Sequence, residues 1–310
     1  MYRLCSLLMV FLLCLAWLPR KSFAQSGSPP GEGEEKIRQI EDSLAVLSRI
    51  IFTDTSSENR FAATRQFIPQ MVRALQVENS FSYRFDRLPH ISIQYPIDST
   101  FRIFSWQLYV DDDTYRYYGA LQMNRPDLQL FPFADRSSEL SGLEDAELSP
   151  ERWYGAVYYR LQQVDGPGGT YYLLFGFDGY EFFRNRKVLD VLHFDEAGQP
   201  VFGLPVLVHE GTDGAPDTTR SRLVLEYSAE ASVRLNYDPA LEMIIFDHLV
   251  TMPGQHGEGP VGLPDGSYEG YKLVDGRWVY VEKIWDEVSD EVPRPFPILD
   301  KRQGDLFGNH

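Results

Sequence analysis

The chain of 310 residues is 43% hydrophobic and carries 29 Lys plus Arg against 45 Asp plus Glu, a formal charge of −16. Those figures provide for a core of ordinary size and exclude collagenous, intrinsically disordered and disulfide-rich classes. The sign of the charge argues against nucleic acid as a partner, because phosphate recognition relies on clustered Lys and Arg.

Residues 1–24 have the form of a secretory signal. Arg3 supplies the basic start, an apolar run extends from Leu4 to Leu18, and Ser22 and Ala24 are small residues placed for cleavage before Gln25. The run falls short of the ~20 residues that a bilayer-spanning helix needs. Cleavage is therefore favoured over a permanent anchor, although Arg20 and Lys21 put positive charge on the side opposed by the usual orientation rule. Both cysteines, Cys5 and Cys14, fall in this leader, and Leu13 stands where a lipoprotein signal wants a small residue. The mature chain would then hold no thiol and depend on its core for stability. Loss of Arg3, Arg20 and Lys21 takes the charge from −16 to −19. No later apolar stretch reaches spanning length, so the expected location is the periplasm, the cell envelope or the exterior.

Residues 25–33 (Gln-Ser-Gly-Ser-Pro-Pro-Gly-Glu-Gly) read as a flexible linker. A helical pair is expected over 34–78. Ile37, Ile40, Leu44, Leu47 and Ile51 recur at spacings of 3, 4, 3 and 4, which makes one apolar stripe, with Glu34 and Glu35 in the first turn. The stripe spans about two heptads, too few for a coiled coil. Thr55 with Glu58 matches a capping box for a second helix that buries Phe61, Ile68, Met71 and Leu75. Pro69 predicts a kink or a break in it.

From Phe81 the apolar period changes to two and Asp-Gly and Gly-Pro turns appear, which predicts an antiparallel meander over 79–290. The expected fold is mainly β with a minor α+β character: a curved sheet, sandwich or partly open barrel with the two helices packed on it. The turns show no fixed period of about 40 residues, so a propeller or solenoid is not expected. Three hairpins can be registered by matching apolar positions. Folding at Asp112 and Asp113 sets Val110 against Tyr115, Leu108 against Tyr117 and Trp106 against Gly119. A loop at 229–231 sets Tyr227 against Val233, Leu225 against Leu235 and Glu226 against Arg234. Asp275-Gly276, the strongest hairpin signal, sets Leu273 against Trp278 and Tyr271 against Tyr280. Further strands are expected at 90–95, 128–132, 153–164, 170–177, 186–194, 199–203 and 242–249. Tyr171 to Phe177 is apolar on both parities, a central strand covered on both sides, with the helices expected to cover one of them. Residues 291–310, which contain Pro-Arg-Pro-Phe-Pro, read as an extended tail.

The segments Phe104-Ser105-Trp106-Gln107, Thr114-Tyr115-Arg116-Tyr117-Tyr118-Gly119, Trp153-Tyr154-Gly155-Ala156, Gly176-Phe177-Asp178-Gly179, Leu225-Glu226-Tyr227-Ser228 and Phe246-Asp247-His248-Leu249 resemble those of a family of uncharacterised exported proteins of Bacteroidota. The resemblance covers roughly residues 35 to 290. It implies an envelope location and carries over no catalytic residue.

Asp247 and His248 are the candidate catalytic pair, since an acid beside an imidazole is the material of general acid–base work. Neighbours on a strand point to opposite faces, however, so the two do not pair directly. There is no Gly-x-Ser-x-Gly turn and no mature cysteine for nucleophilic hydrolysis. His209-Glu210 and His256-Gly257-Glu258 lack the His-Glu-x-x-His spacing of a zinc site, Asp111 to Asp113 lack the oxygen spacing of a calcium loop, and Asp165-Gly166-Pro167-Gly168-Gly169 lacks the lysine of a phosphate loop. Arg184, Arg186 and Lys187 read as a solvated strand face. No metal or cofactor is expected.

The unusual feature is 18 Tyr, 20 Phe and 5 Trp, 14% of the chain. Such residues serve a binding face as well as a core, and β-sheets favour them in any case. The leading expectation is a non-enzymatic envelope module that binds a protein, glycan or apolar ligand through an aromatic β surface, with Trp106, Tyr118, Trp153, Tyr154 and Trp278 as candidate contacts. The alternatives are a secreted carboxylate-dependent hydrolase and a periplasmic half-barrel holding a lipid.

Overall fold

The computed structural model describes residues 31–111, 114–210 and 216–284. The leader, residues 25–30 of the linker, the hairpin tip at Asp112 and Asp113, and the tail at 291–310 lie outside the described residues. Helices α1 (Glu32–Thr53) and α2 (Ser57–Leu75) come first. The strands follow as β1 (Ser92–Gln94), β2 (Phe101–Asp111), β3 (Thr114–Met123), β4 (Leu130–Ala134), β5 (Val157–Gly166), β6 (Gly169–Glu181), β7 (Arg184–Phe194), β8 (Pro200–Phe202), β9 (Leu207–His209), β10 (Thr218–Arg220), β11 (Arg222–Ser228), β12 (Leu235–Asp238), β13 (Met243–Pro253), β14 (Pro260–Val274) and β15 (Arg277–Val281).

In α1 the predicted stripe is the buried face, with Ile37, Leu44, Leu47 and Ile51 inside, and Glu32, Glu34 and Glu35 sit in the first turn where the helix dipole favours negative charge. The helix begins two residues earlier than expected and takes in the end of the linker. The cap of α2 is Ser56 rather than Thr55: its hydroxyl accepts from the Asn59 N–H at 3.4 Å, and Asp54 Oδ1 accepts from the Ser56 N–H at 2.8 Å. Pro69 does not break α2, which runs from Ser57 to Leu75 with the proline inside it. Met71 and Leu75 are buried as expected, whereas Phe61 and Ile68 lie at the margin of the buried face. Phe67 is fully buried whereas Ile68 is 36% exposed, because Arg60, Ala63, Phe67, Met71 and Ala74 define the inward stripe.

The fold is mainly β with two N-terminal helices, as expected, and its strands form three sheets, in the orders β1-β2-β3-β4, β11-β7-β6-β5 with β8 beside β7, and β10-β9-β15-β14-β13-β12. Pairing is antiparallel except between β15 and β9. Alternation along each strand stacks these sheets. Phe104, Trp106 and Leu108 of β2 face the helices, while Phe101 and Ile103 face the second sheet. On β6, Tyr172 and Leu174 point to the first sheet, whereas Tyr171, Leu173 and Phe175 point to the third. The order of layers is helix pair, first sheet, second sheet, third sheet. The strand over Tyr171 to Phe177 is thus covered on both sides as expected, but its covers are the two other sheets and not the helices. Among the described residues no sheet closes into a barrel.

The hairpin at Asp275-Gly276 has the predicted register, with Leu273 opposite Trp278 and Tyr271 opposite Tyr280. Both turn residues have positive φ, 47° and 80°, as the twist-compatible two-residue turn requires. The first hairpin departs from prediction. Its outermost described pair, Asp111 with Thr114, has the expected register, but an irregularity between Tyr109 and Asp111 slips the rest by one residue. Trp106 therefore opposes Tyr118, and Gly119 opposes Ser105. The second hairpin does not form. β11 pairs with β7, where Glu226 opposes Arg186, and β12 pairs with β13, where Leu235 opposes Phe246. Leu225 and Leu235 belong to the core between the second and third sheets, so apolar matching found a contact across layers and not across a ladder.

Candidate functional site

At the β13–β14 ribbon of the third sheet an imidazole, carboxylates, a tyrosine and a lysine line a common open cleft. The ladder is regular to the pair Asp247–Tyr268 and resumes at Leu249–Pro264. His248 alone thus faces a bulge of Asp265, Gly266 and Ser267. Gly266, at φ 90°, supplies the left-handed residue that such a bulge needs. Asp265 Oδ1 accepts from the Ser267 N–H at 2.9 Å and from the Ser267 hydroxyl at 2.7 Å, which locks the carboxylate. Its other oxygen, Oδ2, lies 2.9 Å from His248 Nδ1. A carboxylate at Nδ1 assigns the proton to that nitrogen and leaves Nε2 as the open position, where Glu269 Oε1 stands 3.7 Å away.

Tyr280 and Lys283 complete one wall, with Ser267 and Glu282, around a cleft of roughly 450 Å³. The hydrogen bonds from Ser267, hydroxyl and backbone, hold the Asp265 carboxyl down at about 2, with His248 adding to the effect. Burial, and then its hydrogen bond to Glu269, push the Tyr280 hydroxyl well above its usual range. Behind Tyr280, the His209 ring stacks at 4.4 Å and its Nε2 is 2.7 Å from the Tyr271 hydroxyl. Burial lowers the His209 pKa, and the charge of Arg220 acts in the same direction.

His248 therefore has a carboxylate partner, but it is Asp265 and not the adjacent Asp247. Asp247 is buried, and its Oδ2 accepts from the Arg234 N–H while its own N–H donates to Arg234 O at 3.2 Å. It holds the approach to β12. Asp265, Glu269 and Tyr280 escaped the sequence reading. The available signal was Asp-Gly-Ser inside an otherwise strand-like run, a turn signature where no chain reversal follows.

The aromatic candidates lie elsewhere. Trp153 and Trp278 are 0% and 1% exposed, and their indole N–H groups donate to the hydroxyls of Tyr158 at 2.8 Å and Tyr171 at 3.0 Å. Tyr154 is buried and donates to Asp178 Oδ2 at 2.7 Å. Trp106 is buried between Phe67 of α2 and Tyr118, with which it stacks at 5.5 Å; Tyr118 itself is half-buried. Four of the five sit between layers, because three stacked sheets and a helical pair leave the large rings as interlayer filling. The two histidine pairs considered for zinc also find other partners, His209 with Tyr271 and His256 with Glu230 at 2.9 Å. Among the described residues no group of His, Cys, Asp and Glu is arranged to hold a metal. The basic trio is engaged as well. Arg184 and Arg186 both pair with Glu226, and Lys187 lies over the rings of Tyr159 and Phe177 at 4.7 and 5.3 Å.

Asp178 is a second polar centre, buried between the first and second sheets. It accepts from Tyr117, from Tyr154 and from the Tyr180 N–H at 2.9, 2.7 and 2.8 Å. Burial pushes its carboxyl up against these opposing bonds. It is surrounded by its own donors, and it belongs to the packing of the layers. Comparison with protein-family models, with curated proteins and with solved structures finds no match.

Proposed function

We propose that the chain is an exported envelope module that binds a glycan at the His248 cleft. The observation that carries this reading is the composition of the cleft wall: the carboxylates of Asp265, Glu269 and Glu282, the Lys283 ammonium and the His248 ring stand beside the ring of Tyr280. Sugars present vicinal hydroxyls that both donate and accept, together with apolar C–H faces. Carboxylates beside an aromatic ring complement both. The leader-like first 24 residues and the resemblance to exported proteins support the location.

Aromatic abundance, which first pointed to a binding face, no longer carries the argument, because most of the candidate rings fill interlayer cores. A lipid in a half-barrel finds less support, since the spaces between the sheets hold Phe101, Tyr172, Phe175 and Trp278, all buried. The test is calorimetric titration of a panel of neutral and acidic oligosaccharides against the protein and its Tyr280→Ala and Glu269→Gln variants. A charged hydrogen bond contributes ~1.5–3 kcal/mol, so Glu269→Gln is expected to weaken binding at least tenfold, and Tyr280→Ala to weaken it through loss of the ring against the sugar's C–H face. Binding that is unchanged in both variants would remove the cleft as the site.

A further inference from the structure

We infer that glycan binding at this cleft is gated by the charge on His248, whose imidazolium bridges Asp265 and Glu269 and so holds the Glu269 carboxylate where a sugar hydroxyl meets it. The step rests on the glycan reading and adds its regulation. Both ring nitrogens face a carboxylate of β14: Nδ1 stands 2.9 Å from Asp265 Oδ2 and Nε2 stands 3.7 Å from Glu269 Oε1. Asp265 is fixed through its other oxygen by the Ser267 N–H and hydroxyl, so the ring is held against a locked partner. Glu269 in turn accepts from the Tyr280 hydroxyl. One carboxylate thus ties the imidazole to the aromatic ring that offers a face to the sugar.

The two charge states of the ring differ at Nε2. Asp265 keeps the Nδ1 proton in place in both, because the Ser267 hydrogen bonds hold its carboxyl down at about 2. With Nε2 protonated, the ring and Glu269 form an ion pair. The ring side chain is 38% exposed and that of Glu269 17%, so protons exchange freely while the attraction is only partly screened. With Nε2 bare, its lone pair faces Glu269 Oε1, and the wall loses one positive charge while the carboxylates of Asp265, Glu269 and Glu282 remain on it. Repulsion then releases Glu269 from its position beside Tyr280. The other groups facing the ring do not replace the lost charge. Lys283 already has a partner, burial keeps the Tyr280 hydroxyl neutral, and His209 of β9, behind Tyr280, has its pKa lowered by burial. An imidazole is the side chain that ordinarily changes charge between about pH 5 and 8. Its positive charge is present in acid and lost as pH rises, so binding is tightest in mild acid.

His256 supplies an internal control. It pairs with Glu230 at 2.9 Å, a bond that raises its pKa, and it is not among the residues that line the cleft. The experiment titrates xylohexaose and cellohexaose into the protein calorimetrically at about pH 5.5 and about pH 8. Both sugars are uncharged, so any dependence on pH belongs to the protein. The expected affinity is about tenfold tighter at the lower pH, a coupling of ordinary size, with a proton taken up on binding near neutrality. His248→Gln should bind at the weaker level at both pH values, and His256→Gln should keep the full difference. Circular dichroism shows that each variant is folded. In the sugar-free protein, the carbon-13 NMR signal of the Glu269 carboxyl should move together with the signals of the His248 ring. Equal affinity at the two pH values, a difference that survives in His248→Gln, or a Glu269 signal indifferent to the ring would overturn the gate and leave the binding reading standing. A Glu269 signal that follows the ring, with neither sugar bound at either pH, would overturn the glycan reading and leave the gate nothing to act on.

Discussion

Asp190 and Arg222 are both fully buried and 2.8 Å apart, on adjacent strands β7 and β11 of the middle sheet. Arg222 also donates to Leu143 O at 2.5 Å, and Asp190 accepts from the Tyr158 hydroxyl at 3.3 Å. Removing one member of such a pair strands a charge in the core. Asp190→Ala is therefore expected to cost about 3–5 kcal/mol, whereas replacing both by apolar residues of similar volume should restore most of that. Urea denaturation of the single and double variants measures the difference. Asp265 illustrates the opposite regime. Its folded pKa, about 2, lies below the ~3.9 of an unfolded aspartate, so its contribution is present above pH 4 and is lost as pH falls toward 2. Asp265→Asn should show a weaker dependence of stability on pH across that interval. An equal slope in both proteins would show that the Ser267 contacts do not hold the carboxylate. The group is near the surface, so the effect is small. The sequence made His248 visible as a candidate but not its partner. Adjacency in sequence pointed to Asp247, while the bulge that turns Asp265 toward the ring was marked only by Asp-Gly-Ser inside a strand-like run, which by itself reads as an ordinary turn.

Elements show the same division. The ribbon joining β14 and β15 could be read because Asp275-Gly276 dictates a turn type and the turn dictates the register. The stripe of α1 could be read because one face of a helix meets one layer. The β2–β3 register could not, because an irregularity near Val110 shifts every later pair by one, and local composition does not reveal it. Apolar matching misplaced β11 and β12 for a different reason. Leu225 and Leu235 do share a core, but facing sheets satisfy the same pattern as paired strands. Gly119 pairs with Phe133 of β4, and an added Cβ there would lie 2.6 Å from Phe133 Cδ2 and 2.9 Å from Phe104 O. Gly119→Ala is expected to destabilise by about 1–3 kcal/mol as the first sheet shifts to relieve the clash. A thermal transition unchanged from that of the parent would place Phe133 elsewhere.

For the whole molecule, alternation on three stacked sheets produces successive cores, and that is where the large aromatic content resides. β6 and β7 of the middle sheet contribute Leu173, Leu174, Phe175, Val188 and Leu189, all at 0% exposure, to cores on both of their faces. The helical pair, by contrast, is anchored on one side only. Hydrogen exchange should therefore find β6 amides opening only with global unfolding and those of α1 opening earlier. The most direct test of the central claim, that the great rings are interlayer filling and the usable surface is the His248 cleft, is hydroxyl-radical footprinting of the folded protein. The account predicts that Trp153, Tyr154 and Trp278 remain unmodified while His248, Tyr280, Met252 and Phe182 are oxidised. Oxidation of Trp153 and Trp278 at rates matching Phe182 would contradict it.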